Sequence, residues 1–114
     1  MAVVNEYKFL GNTIATDVEQ TLLTPAVASA GSVETVVIKS FRVTNTTGNT
    51  PTITITNGST KIVNTETLAA NTSVEILTAP LVVQSGVALK VKMSSSDSTD
   101  IAISYLNINQ EVTT

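Results

Sequence analysis

The sequence of 114 residues contains no cysteine, no histidine and no tryptophan. The absence of cysteine excludes a disulfide scaffold, thiol catalysis and cysteine metal ligands. The absence of histidine removes the commonest general base and metal ligand. No segment has the pattern of a nucleophile elbow or of a glycine-rich phosphate-binding loop. We therefore expect a non-enzymatic protein with no catalytic residues, no cofactor and no bound metal.

Positive charge and long apolar runs are also scarce. The chain has six Lys and Arg against nine Asp and Glu, for a net charge of −3, so it offers no basic footprint for nucleic acid or an anionic membrane. No stretch approaches the roughly eighteen apolar residues of a membrane span. Glu6 and Lys8 interrupt the apolar run that a signal peptide needs. We predict a soluble protein without nucleic-acid or membrane partners, assembled in a reducing cytoplasm.

The chain is instead rich in β-branched residues, with twenty threonines, fifteen valines and nine isoleucines. These side chains lose rotamer freedom in a helix and pack well on a pleated sheet. Apolar alternation and turn residues predict a hairpin around Asn57-Gly58. They predict further strands within residues 20–26, 32–45, 72–77, 80–83, 87–93 and 101–108. Seven or eight short strands are typical of an all-β, single-domain antiparallel β-sandwich or jelly roll.

The first nineteen residues differ from the rest, because they hold two of the four aromatic side chains together with mixed charges. We predict that residues 1–19 form an N-terminal arm or edge strand and that residues 20–114 form the β-sandwich domain. The alternative is that the first segment is simply one more strand of the same core.

Two local patterns predict details of the sheets. In 32–45, Val36 and Ile38 occupy even-numbered positions but Phe41 and Val43 odd-numbered ones, so the apolar residues change side along the strand. This parity switch predicts a β-bulge or a strand that crosses between sheets. In the ribbon 49–62, a two-residue turn at Asn57-Gly58 predicts that Thr56 faces Ser59 and Ile53 faces Ile62. The threonines of this ribbon then coat the outside of a sheet. An ice-binding surface would need flat ranks of threonine on several strands, and lysine interrupts this one.

The closest candidates for paired carboxylates or calcium ligands are Asp97 and Asp100 in "SSSDSTD". A calcium site needs six to eight oxygen ligands, and this loop offers two carboxylates. A solvated turn with local hydrogen bonds is the preferred interpretation.

The order of motifs resembles the small β-sandwich virion proteins of tailed bacteriophages, of the capsid decoration (cement) type. The resemblance covers about residues 20–108 and rests on "RVTNTTG", "LAANTSVEIL" and "SGVALKV". This chain departs from the family at Gly86-Val87, where the family often has Gly-Asp. The resemblance implies a structural protein on the outer capsid surface of a virion, frequently a trimer, with the major capsid protein or other virion proteins as partners.

The residues predicted to contact those partners are the apolar members of the first segment and the second apolar face of the last strand: Val3, Val4, Tyr7, Phe9, Leu10, Leu106 and Ile108. For Phe9 and Ile108, completion of the sandwich core is an equally good interpretation. The rival functions are a neck, tail or fibre component of the virion, or a carbohydrate- or cell-surface-binding module. A hydrolase is a more distant rival.

Overall fold

The computed structural model describes residues 3–27 and 31–111. The ends of the two predicted segments, residues 1–2 and 112–114, lie outside the described residues. The described ranges contain nine strands: β1 (Val3–Ile14), β2 (Gln20–Leu23), β3 (Ser32–Asn45), β4 (Thr52–Asn57), β5 (Thr60–Thr67), β6 (Ser73–Glu75), β7 (Leu81–Val83), β8 (Leu89–Met93) and β9 (Thr99–Glu111). No helix that could cross a membrane occurs within them.

The strands form two sheets in which every pairing is antiparallel. The larger sheet has the order β1-β9-β3-β6, with β7 pairing with β3 as well, and the smaller sheet has the order β2-β8-β4-β5. The prediction of an all-β antiparallel sandwich is therefore confirmed. β1 is the edge strand of the larger sheet and pairs with β9 along all of Val3–Ile14.

The core lies between the two sheets and is built from alternate residues of the long strands. Leu89, Val91 and Met93 of β8 are fully buried, as the alternation in 87–93 predicts. Facing them from the larger sheet are side chains that are also fully or almost fully buried: Ile38, Phe41, Val43, Ile101 and Ile103.

The parity switch in β3 corresponds to a bulge. The pairing with β9 shifts between Ile38 and Ser40, which leaves Lys39 as the additional residue. Because one residue is inserted there, Ile38 before the bulge and Phe41 after it point to the same side, and both are fully buried. The bulge prediction is confirmed, and the strand stays within one sheet.

The predicted register of the β4–β5 hairpin is wrong. Asn57 pairs with Thr60 and Thr56 with Lys61, so the turn residues are Gly58 and Ser59. Gly58 has φ 65°, as the first central residue of a type II′ turn requires. Asn57 stays in the strand because it pairs with Leu89 of β8. Its side-chain nitrogen also donates to the carbonyl oxygen of Val82 at 3.1 Å.

Beyond the turn the hairpin is irregular. Ile55 pairs with Val63 and Ile53 with Glu66, with register shifts between them. Thr65 adopts φ 47°, and its backbone N–H donates to the Thr54 hydroxyl at 3.0 Å. The predicted opposition of Ile53 and Ile62 is therefore replaced by a bulged edge.

The larger sheet extends past the smaller one. Its three long strands have 12, 14 and 13 residues, whereas the strands of the smaller sheet have four to eight. The molecule accordingly measures 53 × 22 × 20 Å. One end of the larger sheet therefore has side chains that the smaller sheet does not cover.

Candidate protein-binding surface

The side of the larger sheet that faces away from the smaller sheet carries a group of exposed or half-buried apolar side chains. We call this surface the outer face and define it by Tyr7, Phe9, Val37, Val82, Leu106 and Ile108. Tyr7 is 78% exposed, Phe9 68% and Val82 48%. Val37, Leu106 and Ile108 are half-buried. Isolated exposed apolar residues are ordinary, but a contiguous group of them indicates a contact surface.

Strand register makes the group contiguous, because directly paired residues of antiparallel strands lie on the same side of a sheet. Tyr7 pairs with Leu106, Leu106 with Val37, and Val37 with Val82, so one apolar row crosses four strands. With three neighbouring rows, which mix apolar and uncharged polar side chains, the outer face comprises four rows: Val3–Gln110–Val33, Asn5–Ile108–Thr35, Tyr7–Leu106–Val37–Val82 and Phe9–Ser104–Ser40.

None of the side chains in these four rows is an Asp, Glu, Lys or Arg. The next row along the sheet, from Gly11, introduces Arg42 and Glu75. Lys39 is exposed at the bulge. It lines a shallow groove of about 360 Å³ together with Tyr7, Lys8, Phe9, Ser104 and Tyr105. Charged residues are depleted at the centres of protein interfaces. The arrangement of an uncharged apolar patch bordered by charge suits contact with another protein.

The structure divides the seven residues that the sequence analysis named. Val3, Tyr7, Phe9, Leu106 and Ile108 lie on the same side of the larger sheet, within the four rows. Val4 and Leu10 point to the opposite side, since they alternate with these residues along β1. Leu10 packs against the core, whereas Val4 is 51% exposed beyond the smaller sheet.

Two members of the outer face were not found from the sequence, namely Val37 and Val82. Each belongs to an uninterrupted apolar run, "VVI" or "LVV", and such a run places an apolar residue on both sides of its strand. That signal was present. However, Val37 pairs with Val82 across a long stretch of sequence, and a local pattern does not reveal such a pairing.

The two aspartates of "SSSDSTD" bind different partners. Asp97 accepts hydrogen bonds from the Ser95 hydroxyl at 2.5 Å and the Asn49 side-chain amide at 2.8 Å, and these bonds lower its pKa. Asp100 accepts from the Thr13 hydroxyl at 2.6 Å. Over residues 3–27 and 31–111, no group of three or more His, Cys, Asp or Glu is placed to hold a metal ion. The two carboxylates are thus held by one local hydrogen bond, from Ser95, and by two bonds from residues distant in sequence, Asn49 and Thr13.

A polar cluster occupies the inner side of the larger sheet where the smaller sheet ends. The Glu34 carboxylate accepts from the backbone N–H of Ala26 at 3.0 Å and from the Asn107 side-chain amide at 2.9 Å. The bond from Asn107, then that from Ala26, and the charge of Lys8 lower the pKa of Glu34 against the opposing effect of burial. Glu34, Asn107 and Lys8 line a pocket of about 230 Å³. The cluster closes the open end of the sandwich with polar contacts.

The threonines of the hairpin do not form a flat rank. Thr52, Thr54 and Thr56 are half-buried. In the neighbouring strand β8, Lys92 pairs with Thr54 and Lys90 with Thr56, so two of the three threonines have a lysine beside them.

Comparison with known proteins shows likeness of fold alone. No protein-family model matches the sequence, and no curated protein is similar to it. The nucleoplasmin-like N-terminal domain of Drosophila FKBP39 is similar in structure, with a TM-score of 0.55 and 12% identity over 95% of this chain and 93% of that one. A chain of the virus-like particle of the Macrobrachium rosenbergii extra small virus has a TM-score of 0.50 and 10% identity, over 99% of this chain and 82% of that one.

A chain of the cyanophage Pam1 capsid asymmetric unit is 19% identical over 91% of this chain and 84% of that one, with a TM-score of 0.40, which is too low to carry an argument. The first two likenesses place the chain among β-sandwich domains that include a viral particle protein.

Proposed function

We propose that this protein is a non-enzymatic structural component of a virion. More specifically, we propose a decoration (cement) protein that docks its outer face on the outside of the capsid of a tailed bacteriophage. The observation that carries the proposal is the outer face, which has an apolar row and no charged side chain, on a sheet whose other side packs into the core. The fold likeness to a chain of a virus-like particle and the sequence resemblance to phage virion proteins support the viral setting.

Such a protein stabilises a shell by the area it buries. Four rows about 6.8 Å apart, crossing three to four strands about 4.8 Å apart, cover about 400 Å². A stable protein interface buries about 800 Å² on each partner. One outer face is therefore too small to bind tightly alone, and strong attachment requires several faces acting together on neighbouring capsid subunits.

A charge placed in the middle of the outer face tests the proposal. Leu106→Asp puts a carboxylate at the centre of the apolar row, while Thr60→Asp adds the same charge at an exposed position of the other sheet. Both variants and the unaltered protein are incubated with purified heads from a panel of tailed phages and sedimented. Circular dichroism checks that each variant is folded.

We expect the unaltered protein and Thr60→Asp to sediment with heads and Leu106→Asp to remain in solution, with affinity reduced about tenfold or more. Sedimentation of Leu106→Asp with heads would show that another surface docks. Binding to purified tails or fibres but not to heads would assign the protein to those parts of the virion. Binding to glycans alone would favour the carbohydrate-binding alternative.

Deletion of residues 1–19 is a poorer test. β1 pairs with β9 over its whole length, and the buried Ile14 belongs to the core. Removing the segment would uncover β9 and open the sandwich, so a loss of binding would not locate the docking surface.

A further inference from the structure

The edges of the two sheets differ sharply. At the far side of the larger sheet, β6 and β7 have three residues each, and β2 of the smaller sheet has four. The remaining edge, β5, is interrupted by register shifts and by the positive φ of Thr65. Short strands and bulges are two of the means by which proteins prevent edges from pairing with other chains. These edges are protected.

β1 is neither short nor bulged, and its charged side chains, Glu6 and Lys8, are of opposite sign. It has 12 residues, contains no proline, and pairs with β9 without a register shift. The backbone N–H and C=O groups of a strand point alternately toward its two neighbours. β9 pairs with β1 on one side only, so the groups that point to the other side form a free sheet edge. The side chains of Val3–Phe9 are exposed. An edge of this length and regularity fits another strand.

We propose that the partner is a second copy of this chain, with the two β1 strands antiparallel about a two-fold axis at Tyr7. In this register Glu6 of each copy lies directly opposite Lys8 of the other, and Tyr7 lies opposite Tyr7. Glu6 and Lys8 are the charged residues of Val3–Ile14. Opposite charges directly across an antiparallel pair stabilise it. The strand is therefore self-complementary in charge.

The neighbouring registers are unfavourable for the same reason. In an antiparallel pair, two residues that lie directly opposite each other are on the same side of the sheet. A two-fold axis therefore passes through a residue position, and the nearest alternative registers place the axis one residue to either side. An axis at Glu6 places the two Glu6 carboxylates opposite each other, and an axis at Lys8 does the same with the two ammonium groups. Like charges directly opposite destabilise a strand pair. Charge thus favours the axis at Tyr7 over both neighbouring axes.

The pairing has a consequence for the proposed docking, although the pairing itself does not depend on a virion role. A two-fold axis perpendicular to the sheet leaves both outer faces on the same side of one continuous ten-stranded sheet. Their combined area is about 800 Å², the size that a stable interface needs on each partner. The aromatic rings of Tyr7 and Phe9 from both copies then meet near the axis. The assembly has two-fold symmetry, in place of the trimer that the family resemblance implies.

Charge exchange tests the register directly. Glu6→Lys and Lys8→Glu each create two like-charge pairs across the axis, and the double variant Glu6→Lys/Lys8→Glu restores two opposite-charge pairs. A mixture of the two single variants also restores both pairs in a heterodimer. Molar mass is measured by light scattering and by sedimentation equilibrium over a range of concentrations, and circular dichroism confirms that each variant is folded.

We expect the unaltered protein to have twice the mass of the 11.9 kDa chain. Each single variant should dissociate about tenfold or more readily, and the double variant and the mixture should recover the dimer. A monomer at every concentration, a trimeric mass, or single variants that dimerise like the unaltered protein would each overturn the proposal. Head binding by a protein that stays monomeric would reject the pairing and leave the proposed function standing. A dimer that binds no heads would do the reverse.

Discussion

Val82 and Val83 are consecutive residues of β7, yet Val83 is fully buried and Val82 is 48% exposed. The same contrast holds wherever the smaller sheet covers the larger one. On its inner side, residues such as Ile38, Phe41 and Ile103 pack against the smaller sheet, while on its outer side Tyr7, Leu106 and Val37 form an apolar row without a cover.

The difference teaches that apolar character alone does not reveal the role of a residue in this protein. Both sides of β3, β7 and β9 carry valine, leucine or isoleucine. The inner residues stabilise the fold, because burial of an apolar side chain contributes about 1.5–3 kcal/mol. The outer residues contribute little to folding and leave apolar surface for a partner. Substitutions on the two sides should therefore separate stability from binding.

The largest expected effect comes from comparing two phenylalanines. Phe41 is fully buried and Phe9 is 68% exposed. Phe41→Ala should lower the free energy of unfolding by about 4 kcal/mol because it removes packing and leaves a cavity. Phe9→Ala should lower it by less than about 1 kcal/mol. Urea denaturation followed by circular dichroism measures both values. Equal losses would mean that Phe9 belongs to the core and that the contrast between the two sides is false at β1.

The inner side also contains a polar residue that the fold requires. Asn45 is 1% exposed, and its side-chain nitrogen donates to the carbonyl oxygens of Asn49 at 2.8 Å and Ala69 at 3.2 Å. Its side-chain oxygen accepts from the backbone N–H of Thr47 at 3.0 Å. The residue thereby joins the loops after β3 and β5.

Asn45→Ala should cost about 2–3 kcal/mol, since it leaves buried backbone groups without partners. The matched control is Asn12→Ala, at an exposed position of β1, which should change the free energy of unfolding by less than about 0.5 kcal/mol. Thermal and urea denaturation give both numbers. A loss below about 1 kcal/mol at Asn45 would show that water replaces its bonds.

The most direct test of the comparison is the same substitution at two adjacent residues. Val83→Thr should cost about 2 kcal/mol, because it buries a hydroxyl in an apolar core. Val82→Thr should be neutral within about 0.5 kcal/mol, since threonine is a good strand residue at an exposed position. Denaturation curves of the two variants are compared under identical conditions. If Val82→Thr costs as much as Val83→Thr in the purified protein, the outer face is already covered, as it would be within a tight oligomer.

Much of the fold could be predicted from the sequence because sheet patterns are local. The alternation of Leu89, Val91 and Met93 and the parity switch after Ile38 both follow from the two-residue period of a strand. The prediction of the hairpin register was wrong because Asn57 is held in β4 by its pairing with β8 and its hydrogen bond to Val82, both of which are distant in sequence. A local turn preference yields to such long-range contacts.

The candidate surface could be predicted only in part for a related reason. The apolar residues of β1 and of the end of β9 were visible, but their placement on one side depends on the pairing of Tyr7 with Leu106 across the whole chain. Val37 and Val82 were hidden because an apolar run does not say which of its residues faces a partner. Composition identifies the strands, and register identifies the surface.

The smallest expected change in the free energy of unfolding is at Glu34. This residue lies on the inner side of the larger sheet, at the end that the smaller sheet does not cover, and its contacts there are polar. Its pKa lies below the ordinary value of 4.5, chiefly because Asn107 and then Ala26 donate to the carboxylate. A lowered pKa means that the ionised form favours the folded state. This contribution is complete above about pH 4.5 and is lost as the pH falls through the lower pKa of the folded protein.

Glu34→Gln should therefore lower the free energy of unfolding by about 1 kcal/mol at neutral pH, because an amide can accept at only one of the two positions that now accept. The gap from the unaltered protein should close as the pH falls below about 4.5. Urea denaturation at a series of pH values measures it. In an Asn107→Ala background the gap should be smaller and less dependent on pH, since the largest cause of the pKa shift is gone. A gap that stays constant down to about pH 3 would mean that the Glu34 charge does not hold this end of the sandwich closed.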